Sequence, residues 1–141
     1  IYIDEKLRNP HRPLMYKRGD IRFDLFVTKI FQTLISPSMK ENLFAVHEFK
    51  GKSTLTLKVL RVEHIVLLKA VTERDKDFED IITIVRRTKD FDWPYLIDEV
   101  LWQYAHGDGW VLVDMIKTLK ELKKYVFIEE KHLKRLTAEL K

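Results

Sequence analysis

The stretch Ser53-Thr-Leu-Thr-Leu-Lys-Val-Leu60, followed by Arg61-Val-Glu-His-Ile-Val-Leu-Leu-Lys69, marks a change of pattern in the sequence. In the first part apolar and polar residues alternate, which is the two-residue period of a β-strand with one exposed face. From Val62 onward the apolar residues recur at the spacing of an amphipathic helix. The chain therefore divides near residue 60 into a strand-rich part and a helical part, and this order predicts an α+β fold.

The strand-rich part contains a second alternating stretch at residues 20–27. We predict a hairpin that enters this strand from residues 1–6 or from residues 14–16, because the prolines at positions 10 and 13 interrupt any regular element between them. Ser38 is predicted to cap a short helix over residues 39–47, and Gly51 to turn the chain into the next strand. The side chains predicted to share the buried face of the strand are Ile21, Phe23, Leu25 and Val27.

The helical part is predicted to contain five helices. Asp92 is expected to cap the third helix, with Pro94 in its first turn, and Gly107-Asp-Gly109 to end it. We assign residues 1–60 to a strand-containing core and residues 61–141 to a C-terminal helical domain. The fifth helix carries apolar residues that would pack in the core or, alternatively, form a dimer face: Leu133, Leu136 and Leu140.

Composition excludes several classes of protein. The 141 residues include no Cys, so a disulfide framework and a thiolate metal site are excluded. The apolar runs are far shorter than the ~20 residues that span a bilayer, and no signal-peptide pattern opens the chain. We therefore expect a cytoplasmic protein without a membrane partner. The net charge of +4 permits an anionic partner without requiring one, and the excess of charged residues over amides is typical of thermophiles.

The densest run of charge is Lys69-Ala-Val-Thr-Glu-Arg74-Asp-Lys-Asp77-Phe-Glu-Asp80. On one continuous helix Lys69, Asp77 and Asp80 would share a polar stripe, whereas Arg74 would fall among the apolar residues. This conflict predicts a break at residues 74–76, with Asp77 capping a new helix and Lys69 facing it across a corner. A purely structural explanation stays open, in which the acids cap a helix and pair with Lys69 and Arg74.

The spacing Lys69-x4-Arg74-x-Lys76-Asp77-x2-Asp80 resembles the signature in the helical part of minimal nucleotidyltransferases of the polymerase-β superfamily. The branch that it resembles most includes toxins of type IV toxin–antitoxin systems. Upstream, Arg22-Phe-Asp24 resembles the strand that carries the third active-site carboxylate of the family. The resemblance extends over about residues 19–85. It implies a nucleotidyltransferase-like mixed sheet followed by a helical bundle.

The resemblance also implies a chemistry. A nucleotidyl group would pass from ATP or another nucleoside triphosphate, bound with Mg²⁺, to an RNA end, a protein hydroxyl or a small molecule, and an antitoxin would neutralise the protein. Mg²⁺ prefers carboxylate oxygens, and Asp24 would be a catalytic residue and a metal ligand. Lys69 would be catalytic and contact the triphosphate, and Arg74 would contact phosphate or fix the corner. Three further residues would support these groups: Arg22, Asp77 and Asp80.

One element of the family pattern is missing from residues 1–141. The family has a Gly-Ser or Gly-Gly turn followed by an Asp-x-Asp pair, and neither Gly51-Lys-Ser53 nor Gly107-Asp-Gly109 leads to such a pair. We expect this element to lie upstream of Ile1. The first alternative is a catalytically inactive module of the same fold that binds a nucleotide or a partner. The second alternative is a helical domain with a structural or partner-binding role.

Overall fold

The computed structural model describes residues 14–26 and 29–140. Its strands lie before residue 61 and all but one of its helices follow, so the predicted α+β class and the order of its two parts are confirmed. The elements in chain order are β1 (Leu14–Arg18), β2 (Ile21–Leu25), β3 (Lys29–Ile30), β4 (Thr33–Leu34), α1 (Pro37–Glu41), β5 (Leu43–Lys50), β6 (Thr54–Leu60), α2 (Val62–Ala70), α3 (Asp75–Arg87), α4 (Trp93–His106), α5 (Trp110–Leu122) and α6 (Glu130–Ala138).

The described strands form three separate antiparallel ribbons of two strands each, namely β1–β2, β3–β4 and β5–β6. The predicted hairpin is confirmed with β1 as its first strand, the second of the two expected arrangements. Its turn contains Gly19 at a φ of +61°, a left-handed conformation that glycine adopts without strain. The nucleotidyltransferase-like mixed sheet stays a prediction, since these ribbons alone do not form one.

The helix predicted over residues 39–47 is wrong in its extent. The helix α1 ends at Glu41, and its cap is Ser36, whose Oγ accepts a hydrogen bond from the backbone N–H of Met39 at 3.1 Å. Residues from Leu43 onward form β5 instead. They pair with β6 from Leu43 opposite Leu60 to Lys50 opposite Thr54, so the backbone hydrogen bonds of this stretch are made across strands.

The prediction that one face of β2 is buried is also wrong. Ile21, Phe23 and Leu25 do share a face, but about half or more of each side chain is exposed. A single two-stranded ribbon buries an apolar face only where another layer covers it, and no described residue does so here. Val27, predicted for the same face, lies outside the described residues.

The core lies among the helices. Leu67, Leu96, Leu112 and Leu119 are fully buried and come from α2, α4 and α5. The helix α4 begins as predicted, with Oδ1 of Asp92 accepting from the backbone N–H of Tyr95 at 3.0 Å.

The helix α6 closes the bundle and ends at Ala138. Leu133 and Leu136 are buried in the core, whereas Leu140 follows the helix and is half exposed. Among the described residues, every helix is too short or too polar to span a bilayer.

Candidate functional site

The charged run forms the corner between α2 and α3. The helix α2 ends at Ala70 and α3 begins at Asp75, so the predicted break is real and falls slightly earlier than expected. Glu73 turns the chain with a φ of +53°, a left-handed conformation that is costly for a residue other than glycine. Arg74, and not Asp77, occupies the cap position. Asp77 lies in the first turn of α3, where a carboxylate is favoured by the helix dipole.

Lys69 lies opposite two carboxylates across this corner, as predicted. Its Nζ donates to Oδ1 of Asp77 at 3.0 Å and to Oδ2 of Asp80 at 2.7 Å. The second oxygen of Asp77 accepts from Oγ1 of Thr72 and from Nε of Arg74, both at 2.5 Å. Arg74 therefore contacts the corner carboxylate, the second of its two predicted roles. We name Lys69, Thr72, Arg74, Asp77 and Asp80 the corner cluster.

The corner cluster holds its charges firmly. Burial alone would raise the pKa of Asp77, but hydrogen bonds from Thr72, Lys69 and Arg74 outweigh it and lower the pKa to about 2. Burial alone would lower the pKa of Lys69, but Asp80 and Asp77 raise it above its ordinary value. Both groups are consequently charged at neutral pH, and the cluster links the end of α2 to the start of α3.

A cavity of about 220 Å³ opens beside the corner cluster, between α2, α3 and α5. Its apolar lining consists mainly of Ala70, Phe78 and Ile81. Four acidic and three basic residues also line it: Glu73, Asp75, Asp114, Glu121, Lys69, Arg74 and Lys117. The acids outnumber the bases, so this cavity does not by itself favour an anion.

Asp114 on α5 is a buried lining residue that sequence reasoning missed. Its side chain is only 9% exposed. Burial raises the pKa of its carboxyl above the ordinary value, and the charge of Glu73 raises it further. The signal was available in the sequence, because at 100° per residue Asp114 lies within 60° of Val111 on the apolar side of the helix. An acid in such a position is either neutralised or partnered.

Asp24 and Arg22 lie elsewhere, on the hairpin β1–β2. Nε of Arg22 donates to Oδ1 of Asp24 at 2.8 Å, on the polar face of β2. Asp24 is not among the residues that line the cavity beside Lys69. The structure thus brings four of the six predicted site residues together and leaves this pair outside. The catalytic role of Asp24 stays a prediction.

The described residues do not by themselves fit a Mg²⁺ site. No three His, Asp or Glu side chains are grouped as metal ligands within residues 14–26 and 29–140. Asp24 supplies one carboxylate, which Arg22 already occupies, and Asp77 is saturated by its three donors. The Mg²⁺ expected from the resemblance therefore needs ligands from outside the described part of the chain.

A second polar cluster joins α1, α2 and α4 around His64, which is fully buried. Its Nε2 lies 3.1 Å from Oγ of Ser38 and 3.1 Å from the hydroxyl of Tyr95, and these two hydroxyls are also hydrogen-bonded to each other. Glu99 approaches the same nitrogen at 3.9 Å, while Nδ1 has no described partner. A serine–histidine–acid triad needs the acid on Nδ1, so this cluster is not one. It pins three helices together instead.

Comparisons with known proteins add no assignment to this geometry. The chain matches no protein-family model, no curated protein and no solved structure. Any statement about its function depends on the charged motif of the sequence and on the arrangement described above.

Proposed function

We propose that this chain is part of a nucleotidyltransferase-like protein that transfers a nucleotidyl group from ATP or another nucleoside triphosphate to an acceptor. One observation carries the proposal. The run from Lys69 to Asp80, whose spacing resembles the nucleotidyltransferase signature, folds into one connected cluster at the edge of a cavity. Its order along the chain behind Asp24 also agrees with the family pattern.

In this proposal Lys69 contacts phosphate oxygens. Its side chain is 27% exposed and its ammonium is held charged by Asp77 and Asp80. Asp80 is the more exposed of its two partners, so a phosphate would replace that contact and leave the buried one to Asp77 intact. A compact ammonium group suits this exchange because it binds phosphate as a point charge.

Arg74 would assist from the same edge. Its described hydrogen bond to Asp77 uses Nε, so the two terminal nitrogens keep donors for a phosphate. The guanidinium is two-thirds exposed and can bind a ligand without unfolding the corner. Binding of this kind also keeps the α2–α3 corner closed, since Asp77 stays engaged.

The remaining parts of the machinery are supplied by other residues. Asp24 would act on the acceptor or hold metal together with carboxylates from outside the described residues, and Arg22 would orient it. The strands before residue 61 would then join a larger mixed sheet. The acceptor would be an RNA end, a protein hydroxyl or a small molecule, and a neutralising antitoxin would be a partner.

A second candidate function is an inactive module of the same fold that binds a nucleotide or a partner. The observation that favours it is the charge around the cavity. Lys69 and Arg74 are already neutralised by carboxylates, and no group of three metal ligands occurs among the described residues. Such a module would keep the corner cluster for stability and bind without transfer.

Label transfer from α-³²P-labelled triphosphates by the full-length protein tests both candidates. Lys69→Met and Asp24→Asn are expected to reduce incorporation at least tenfold. The matched control is Lys131→Met, which removes an exposed lysine paired with Glu129 on α6 and should leave incorporation unchanged. Lys69→Arg separates the roles, because it retains the charge at the corner.

The outcomes separate the candidates. Equal incorporation by all variants would remove Asp24 and Lys69 from the mechanism. No incorporation by the wild type, together with calorimetric heat on adding ATP and Mg²⁺, would favour the inactive module. No heat and no transfer would contradict both.

A further inference from the structure

Asp114 differs from the other charged groups around the cavity because it is buried and has no described partner. Lys69 and Arg74 contact Asp77, and Nζ of Lys117 donates to Oε1 of Glu73 at 2.8 Å. Glu121 pairs with Lys124, and Asp75 is exposed to solvent. Asp114 is buried, lines the cavity and makes no hydrogen bond or ion pair within the described part of the chain.

A largely buried carboxylate without a protein partner is less favourable than one in bulk water, because it has lost part of its hydration. The negative charges of Glu73 and Asp108 make ionisation of Asp114 still less favourable, since both raise its pKa. The positive charge of Lys117 offsets this effect only in part. Lys117 itself donates a hydrogen bond to Glu73, which also lines the cavity. The described protein thus leaves one negative group, facing a cavity, without its complement.

The shape of the cavity limits what that complement can be. Its volume of about 220 Å³ equals that of roughly seven liquid waters and holds a short chain of heavy atoms. Phe78, Ile81 and Ala70 provide an apolar wall, and Asp114 provides an acceptor on α5. A hydrated inorganic cation would make no use of the apolar wall. An anion inside the cavity, unlike a phosphate bound at its edge by Lys69 and Arg74, would meet more acids than bases.

We propose that this cavity binds a primary ammonium or guanidinium group carried on a short apolar chain, with Asp114 accepting its hydrogen bonds and Phe78 and Ile81 packing against the chain. A guanidinium or ammonium donates to a carboxylate with charge-assisted strength. The stem of such a group packs on apolar surface while its head stays polar. The same chemistry is found in free alkylamines and in the Lys or Arg side chains of a partner protein. No step of the proposed nucleotidyl transfer uses Asp114.

Titration of the wild-type protein with butylguanidine, followed by NMR and calorimetry, tests the proposal without any variant. Saturable binding with shifts at Ile81 and Phe78 is expected. Butyramide and butyrate, whose alkyl chains are one methylene shorter and which lack the positive charge, should bind at least tenfold more weakly. Equal binding of butyramide, or no saturable binding of butylguanidine, would overturn the proposal.

Variants then identify the acceptor. Asp114→Asn keeps the shape of the side chain and is expected to weaken butylguanidine binding at least tenfold. The matched control is Glu121→Gln, at a lining acid that already has Lys124, and its effect should stay below twofold. Unchanged binding by Asp114→Asn would overturn the assignment. Its melting temperature should equal or exceed that of the wild type, since it removes an unpaired buried charge.

A further titration distinguishes the two possible natural sources of the guanidinium or ammonium group. N-acetyl-arginine methylamide presents the same guanidinium on a peptide backbone. Tighter binding of this compound than of butylguanidine supports a partner side chain as the natural occupant, and weaker binding supports a free alkylamine or alkylguanidine. These assays contain no nucleotide, so a failure of label transfer leaves them unaffected.

Discussion

The strand part, residues 14–60, and the helical part, residues 62–140, have similar sequence patterns but differ in whether their apolar faces are buried. Both contain amphipathic elements with a clear apolar face. In the helical part those faces meet, so that Leu112 and Leu119 are fully buried. In the strand part the faces stay open, with Phe23 at 50% and Leu57 at 45% exposure. An amphipathic pattern therefore determines which residues share a face, whereas burial depends on a second element to cover it.

Connectivity explains the difference. The helix α4 packs against α2, α5 and α6, and α3 packs against α2, so helices cover one another's apolar faces. Each ribbon of the strand part consists of two strands only, which is marginal without another layer. Gln103 of α4 links the two parts, because it accepts a hydrogen bond from the backbone N–H of Leu34 at 2.9 Å and donates one to the carbonyl of Leu34 at 2.8 Å.

The largest expected effect lies in the helical core. Leu119→Ala should lower the free energy of unfolding by about 2–5 kcal/mol, because it removes buried methyl groups and leaves a cavity. Leu119→Met, which conserves volume, is the control and should cost less than about 1.5 kcal/mol. Urea unfolding measures both. A loss below about 1 kcal/mol for the alanine variant would mean that the bundle is loosely packed.

The next largest effect is a dependence of the stability on pH, which comes from Asp77. Its pKa is lowered from 3.8 to about 2 in the folded protein, so folding favours the charged form. This contribution is complete above pH 4 and is lost as the pH falls through 4 to 2, at about 2 kcal/mol in total. Urea unfolding of wild type and Asp77→Asn between pH 2 and 6 measures it.

The difference in the free energy of unfolding between wild type and Asp77→Asn should decrease as the pH falls from 4 to 2. Asp75→Asn is the control, because Asp75 lies two residues earlier and is exposed, and it should leave the pH dependence of the stability unchanged. A constant difference between wild type and Asp77→Asn at all pH values would contradict the proposed charge-holding role of the corner cluster.

Sequence reasoning predicted the local pattern well and the long-range packing poorly. Alternation in residues 20–27 and 53–60 identified the strands β2 and β6 and the side chains that share a face. The local pattern predicts a helix over residues 43–47, whereas these residues form a strand because they pair with β6, ten or more positions away along the chain. The exposure of the apolar faces in the strand part could not be predicted either, since periodicity carries no information about which layer covers a face.

The candidate site shows the same division. The break between α2 and α3 followed from Arg74 alone, because a charged residue conflicted with the apolar arc of one long helix. The facing of Lys69 and Asp77 followed from that break. The position of Asp114 beside the cavity could not be predicted from the sequence, since it depends on how α5 packs across the corner. Contacts across one corner of the chain are predictable from the sequence, and contacts between helices far apart in the chain are not.

A smaller effect tests the strain at the corner. Glu73→Gly should raise the stability by about 0.5–1 kcal/mol, because glycine adopts the observed φ of +53° freely and this gain exceeds its entropic cost. The lost bond to Lys117 is exposed and contributes little. Glu79→Gly, within α3, is the control and should lower stability by about 1 kcal/mol. Thermal unfolding gives the sign of the stability change for both variants. A loss of stability in Glu73→Gly would mean that Glu73 is not the strained residue.

The smallest effect, in the strand part, is the sharpest test of the comparison between the two regions. Leu57→Thr replaces a half-exposed leucine by a residue that also favours strands, so the change in stability should stay within about 0.5 kcal/mol. Urea unfolding and sedimentation over a range of concentrations measure stability and association together. A loss above about 1.5 kcal/mol would mean that the face is covered in solution, because apolar burial stabilises by roughly 25 cal/mol per Å². A loss that grows with protein concentration would identify the cover as a second copy of the chain, and one independent of concentration would place it within the same molecule.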